Sequence, residues 1–155
     1  MKIQKVITNK KQYLDLLLLA DEQENMIDRY LERGTMYTLD DNGIIAVCVV
    51  TDEGIENESK NKVLEIKNIA VKPEFQRMGY GKAMLDFITN EYKNSVIQVG
   101  TGETPAITAF YEKCGFRKSH RIKNFFIDNY DHLIYDDGIQ LVDMIYFEFA
   151  NYMRK

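Results

Sequence analysis

Apolar positions alternate with polar ones in some stretches of the chain and recur every three to four residues in others, and the two patterns take turns. "MKIQKVI" alternates like a short strand, with Thr8 or Asn9 suited to cap a following helix. Residues 10 to 33 carry a helical pattern with a break expected near Asp21, and Gly34 ends it. "TMYTLDDNGIIAVCVVTDE" reads as a hairpin joined at Asp41-Asn42-Gly43, where Asn-Gly favours a tight turn. "GIENESKNK" is a polar connection, and "KVLEIKNIAVKP" is a strand closed by Pro73. Gly81 to Tyr92 is an amphipathic helix with Met84, Leu85 and Ile88 on one face, and "SVIQVGT" a short apolar strand. Thr104 to Cys114 is a second helix, with Pro105 in its first turn and Gly115 at its end. "FRKSHRIKNFFI" and "IQLVDMIYFEF" are two further strands, separated by an acidic, aromatic insert.

This order predicts an α/β (α+β) fold: a mixed, mostly antiparallel sheet of six to seven strands flanked by helices. No repeat or linker interrupts it, so residues 1–155 are read as a single domain. Hydrophobic residues at 45% and charged residues at 28% are ordinary for a globular protein. A net charge of −4 lacks the basic field that non-specific nucleic-acid binding needs. Cys48 and Cys114 form neither a disulfide scaffold nor a metal cluster and are read as buried thiols in a reducing cytoplasm. The run Leu16 to Leu19 is too short to span a bilayer, and the N-terminus lacks the regions of a signal peptide. A cytoplasmic protein with no membrane association is expected. His120 and His132 have no ligand partners at metal spacing, so no metal is assigned.

The candidate chemistry begins at "AVKPEFQRMGYGKAMLDF", residues 70 to 87, where a β-type run gives way to an apolar helix. Glycine lets backbone approach a ligand closely, and free N–H groups at a helix start attract phosphate. Gln76, Arg77, Gly79, Gly81 and Lys82 would form such a cradle. A Walker A loop needs Ser or Thr after its Lys, and Ala83 stands there; the Rossmann pattern needs a third glycine, and Met84 stands there.

A second stretch, "VGTGETPAITAFYEKCGF", follows at the distance of one helix and one strand. Together the two resemble the GCN5-related N-acetyltransferase (GNAT) superfamily. Gln76-Arg77-Met78-Gly79-Tyr80-Gly81 matches that family's Q/R-x-x-G-x-G/A pyrophosphate loop, and Phe110 to Phe116 matches its Y-E-K-x-G-F helix. The resemblance implies acetyl-CoA as co-substrate, with the segment Ile69, Ala70 and Val71 along its pantetheine arm and the loop from Gln76 to Lys82, Met78 and Tyr80 included, on its pyrophosphate. It implies that Tyr111 lies near the thioester sulfur and that Thr104, where many members have Asn, touches the cofactor arm. Some branches place a Glu base on the strand before the loop; here Lys67 stands at that position, with Glu65 two residues earlier.

The implied reaction is acetyl transfer to a primary amine by direct attack in a ternary complex. The amine arrives as an ammonium and must lose a proton, so Glu65 is the candidate base, directly or through water, and Tyr111 the candidate acid for the leaving thiolate. The expected acceptor is a small cationic amine, drawn by a wall formed from "FFIDNYDHLIYDDG": Asp128, Asp131, Asp136 and Asp137, with Tyr130 or Tyr135 in cation–π contact. The blander reading of the same insert keeps the acids in solvent while Phe125, Phe126 and Ile134 pack inward. Two further readings share the fold: a non-catalytic acyl-CoA-binding sensor or interaction module, and an acetyltransferase of protein lysines. A homodimer is compatible with the sequence, and no feature demands one.

Overall fold

The computed structural model describes residues 1–150. In chain order it forms β1 (Lys2–Val6), a 3-10 turn (Lys10–Tyr13), α1 (Leu14–Ala20), α2 (Glu24–Ile27), β2 (Thr35–Asp40), β3 (Ile44–Glu56) and β4 (Lys62–Val71). Then come a 3-10 turn (Pro73–Phe75), α3 (Tyr80–Glu91), β5 (Val96–Gly102), α4 (Pro105–Lys113) and β6 (Arg117–Ile122). The chain continues through α5 (Phe125–Asn129), β7 (Tyr135–Asp136), β8 (Ile139–Gln140) and β9 (Met144–Ala150).

Seven strands make one sheet in the order β1-β2-β3-β4-β5-β9-β6, while β7 and β8 form a separate hairpin. Every pair in the large sheet is antiparallel except β4 with β5. Both faces are covered, which explains the unbroken apolar run of β3. Ala46, Cys48 and Val50 join Met84, Leu85, Ile88 and Phe147 under α3 and α4. Val47 and Val49 join Leu17, Ile27 and Ala70 under α1 and α2. No helix among the described residues is long and apolar enough to cross a membrane.

Two expectations are corrected. The helical pattern from 10 to 33 breaks near Asp21 as read, but it begins as a 3-10 turn and its second half is helical only over Glu24–Ile27, the rest being turns. Asp21 breaks it at φ −143°, ψ 95°, and Lys10 holds its far end. The Lys10 ammonium, 9% exposed, donates to the carbonyls of Leu31 (2.9 Å), Glu32 (3.2 Å) and Gly34 (2.7 Å). It does for this turn what a C-cap does for a helix. Lys10→Met is expected to cost about 2 kcal/mol in urea unfolding, since carbonyls bonded to a charge lose their donor. The second correction is the insert: "FFI" opens α5 and "QLV" lies mostly outside any strand. Phe126, Ile134 and Leu141 bury one another there, so tertiary packing overrides the local β pattern.

Candidate active site

The site follows from one irregularity in β4. Val49 pairs with Asn68 and Val50 with Ile66, so Lys67 is an extra residue, a β-bulge. On the other side, pairing of β4 with β5 runs from Val63–Val96 to Ile66–Val99 and stops. Beyond it the two strands part, and a cleft of about 870 Å³ opens along the gap.

At one end of the cleft lies the glycine loop. Gly79 is the N-cap of α3 at φ 90°, and Arg77 also takes a positive φ of 63°. The N–H groups of Arg77 to Gly81 have no acceptor among the described residues, while the Ala83 N–H donates to Gly79 O (3.0 Å) at the start of α3. A Cβ built on Gly79 would meet nothing within 4 Å, so the space over these donors is open. Arg77, Lys82 and Lys113 line this end and make it positive. Lys82 is also paired with Asp86 at 2.8 Å. A diphosphate fits such a donor set. Two side chains brace the loop: Gln76 Nε2 donates to Val71 O (3.0 Å) and Tyr80 Oη to Asp41 (2.6 Å).

Midway along the cleft, α4 presents Tyr111. Its ring is stacked on Phe147 at 5.3 Å and lies edge-on to Phe110 and Phe116. The residue is only 5% exposed, and burial pushes its phenol well above the ordinary tyrosine range. No side chain or backbone group among the described residues hydrogen-bonds its hydroxyl, and the residue lines the cleft. Cys114 lines it too, and burial raises that thiol.

On the α1–α2 face Glu65 accepts from Gln98 Nε2 (2.8 Å), pairs with Lys67 Nζ (2.9 Å) and takes a long bond from Tyr146 Oη (3.5 Å). Lys67 also reaches Glu53 at 3.5 Å, which holds Arg33 at 2.9 Å. Tyr146 lies under His120, ring centroids 4.5 Å apart. It can lie across β5 because Gly100 is opposite: a Cβ there would come within 2.6 Å of Met144 Sδ and 2.9 Å of the Tyr146 ring.

The far end is walled by two segments distant in sequence. Asp21, at the α1–α2 break, accepts from Tyr30 (3.0 Å) and from Tyr130 of the insert (2.7 Å). Burial raises its carboxyl while these hydroxyls pull it down. Glu22 accepts from His132 (2.9 Å), and Gln23 Oε1 from the Asp131 N–H (3.2 Å). The insert is thereby strapped across to the α1–α2 turn. Asn68 steadies the same turn, donating to Leu17 O (2.9 Å) and Tyr30 Oη (3.1 Å).

Of the residues expected from the sequence, Glu65, Ile69, Val71, Gln76, Arg77, Gly79, Gly81, Lys82 and Tyr111 line this one cleft. Ala70 packs under α1, Met78 points to solvent at 63% exposure, and Tyr80 is spent on Asp41. Thr104, 3% exposed, caps α4 by accepting from Ile107 N (3.2 Å) and does not line the cleft. The acidic wall is not assembled. Asp136 lines the cleft with Tyr130 and Tyr135, but Asp128, Asp131 and Asp137 do not, and Asp131 is held by His132 at 2.6 Å. Phe126 and Ile134 are buried, as the blander reading of the insert has it. Asp21, Arg29 and Arg33 line the cleft as well, and the sequence marked them only through the helical break at Asp21.

Comparison with known proteins fits this geometry. A family model described as an acetyltransferase (GNAT) domain matches residues 32–118. The uncharacterized N-acetyltransferase YvbK of Bacillus subtilis is 39% identical over 142 residues, 89% of this chain and 88% of that protein. A solved Bacillus subtilis acetyltransferase in complex with CoA is 32% identical with a TM-score of 0.84, covering 96% of this chain and 97% of its own. A GNAT family acetyltransferase from Elizabethkingia anophelis with acetyl-CoA bound is 35% identical with a TM-score of 0.85, at the same coverage.

Proposed function

The chain belongs to the GNAT acetyltransferase family and is an acetyl-CoA-dependent N-acetyltransferase, and on that premise we propose that it acetylates a small primary amine, with Tyr111 as acid and Glu65 as base. One observation carries the reading: the parting of β4 and β5 puts the bare N–H groups of the loop, the unpartnered Tyr111 hydroxyl and the Glu65 carboxylate along a single cleft. The N–H groups from Arg77 to Gly81 would hold the pyrophosphate, and the edge of β4 from Ile69 to Val71 the arm. Acetyl-CoA, when bound, supplies the acyl group and a thiol leaving group. The chain's own residues position the amine and move two protons. Glu65 takes one from the acceptor ammonium, and Tyr111 gives one from its Oη. Asp136 is the carboxylate left to attract the ammonium, in place of the four-aspartate wall, because Glu65 is already paired with Lys67.

Amine-dependent release of CoA thiol from acetyl-CoA tests the reaction; a broad panel of primary amines giving no release would refute it. Glu65→Gln tests the base. Because free amine can substitute for a base, kcat/KM at neutral pH is expected to fall by only about 20-fold, under the usual range for such groups. The deficit should shrink as pH rises toward the amine's own pKa of about 10.4. A deficit independent of pH would remove Glu65 from that role.

A further inference from the structure

We propose that the acceptor carries a carboxylate as well as its amine, that Arg29 holds the carboxylate, and that an apolar amino acid is therefore the substrate class. The inference rests on the acetyl-transfer reading above. It comes from following each charge at the acceptor end of the cleft to its partner. Arg33 is neutralised by Glu53 (2.9 Å), and Lys67 by Glu65 (2.9 Å) and Glu53 (3.5 Å). Glu22 is tied to His132 (2.9 Å), and Asp21 is capped by two tyrosine hydroxyls.

Arg29, an exposed residue, lines the same end; among the described residues its guanidinium forms no ion pair and donates no hydrogen bond, while its carbonyl accepts from Arg33 Nε (3.2 Å). Asp21 and Tyr130 feel its charge without being bonded to it. A guanidinium presents a planar fork of donors that matches a carboxylate's two oxygens. A dianionic phosphate is a poorer match, because Asp21, Glu22 and Asp136 line the same end.

Among the described residues the remaining unpaired charge there is Asp136, exposed on the β7–β8 hairpin, which repels a carboxylate and so leaves Arg29 as its seat. Met26, Phe126, Ile134 and Leu141 also line this end. A molecule anchored at Arg29 with its amine toward Glu65 would lay its apolar part against them. The seven charges lining this end, Asp21, Glu22, Glu65 and Asp136 against Arg29, Arg33 and Lys67, nearly cancel. That balance suits a zwitterion better than a polycation.

The test compares matched pairs that differ only in the carboxylate: leucine with 3-methylbutylamine, and phenylalanine with phenethylamine. CoA thiol release is followed for wild type, Arg29→Gln and Arg29→Lys, and calorimetry measures binding of each compound to the CoA-bound protein. The wild type is expected to prefer the amino acid by about tenfold or more in kcat/KM, the worth of one charge-assisted contact. In Arg29→Gln the preference should collapse toward unity, through the amino acid's KM rather than kcat. Arg29→Lys, which keeps the charge and loses the fork, should recover part of it. A wild type indifferent to the carboxylate, or a preference that survives in Arg29→Gln, overturns the proposal while leaving amine acetylation intact. Arg29-dependent binding of amino acids with no turnover would uphold the anchor and sink the reaction. Neither binding nor turnover overturns both.

Discussion

Tyr111→Phe is expected to lower kcat by about 300-fold, within the range for a lost proton donor, and to leave the fold untouched. The two halves of that result have one cause. The substitution deletes a single oxygen, which hydrogen-bonds no group among the described residues and lies on the cleft. The ring keeps its stack on Phe147 and its edge contacts with Phe110 and Phe116, so urea unfolding should move little. If the hydroxyl acts only on the leaving thiolate, kcat and kcat/KM fall together while the KM for acetyl-CoA holds. A kcat within about threefold of wild type would leave Tyr111 as a packing residue and nothing more.

The pH dependence has a definite sign. Burial is the largest influence on Tyr111 and raises it, with Cys48 and Cys114 adding to the effect. A raised phenol keeps its proton to higher pH, so the acid form persists past the ordinary tyrosine value of about 10. The acceptor amine loses its own proton near about 10.4. The rate should therefore climb through the alkaline range with no fall attributable to Tyr111 below about pH 10.

What the sequence revealed of this site divides along a physical line. Features written into one short segment were legible. Asn42 at φ 60° makes the hairpin turn, Gly79 at φ 90° opens α3, and Pro105 starts α4 one residue after its Thr104 cap. Features that need two distant segments were not. No local pattern marks Lys67 as a bulge, because the extra residue exists only relative to β3. Likewise the aspartates of the insert looked like a wall in one dimension. In three, Asp131 meets His132, and a carboxylate from the N-terminal turn, Asp21, takes the Tyr130 hydroxyl instead. The resemblance to the family points Thr104 at the cofactor arm; the structure adds that its hydroxyl oxygen accepts from Ile107 N and caps the helix it starts.

Gly79→Ala carries the second large effect, this time on binding and not on chemistry. At φ 90° an L side chain is strained by about 1–2 kcal/mol, so the loop would shift to relieve it. The new methyl would also stand in the open space over the N–H groups of Arg77 to Gly81, where the proposed pyrophosphate site lies. Strain and lost contacts together amount to about 3 kcal/mol, or roughly a 150-fold weaker Kd for acetyl-CoA by calorimetry. Because the Cβ meets no protein atom, nothing in the core is disturbed, and the loss of stability should stay near the strain alone. Gly81 is the internal contrast: its Cβ would press on the Phe110 ring at 3.1 Å, beside Tyr111, so Gly81→Ala should disturb packing as well as binding. If Gly79→Ala bound acetyl-CoA as wild type does, the pyrophosphate would lie elsewhere along the cleft, and the bare N–H groups of the loop would need another ligand.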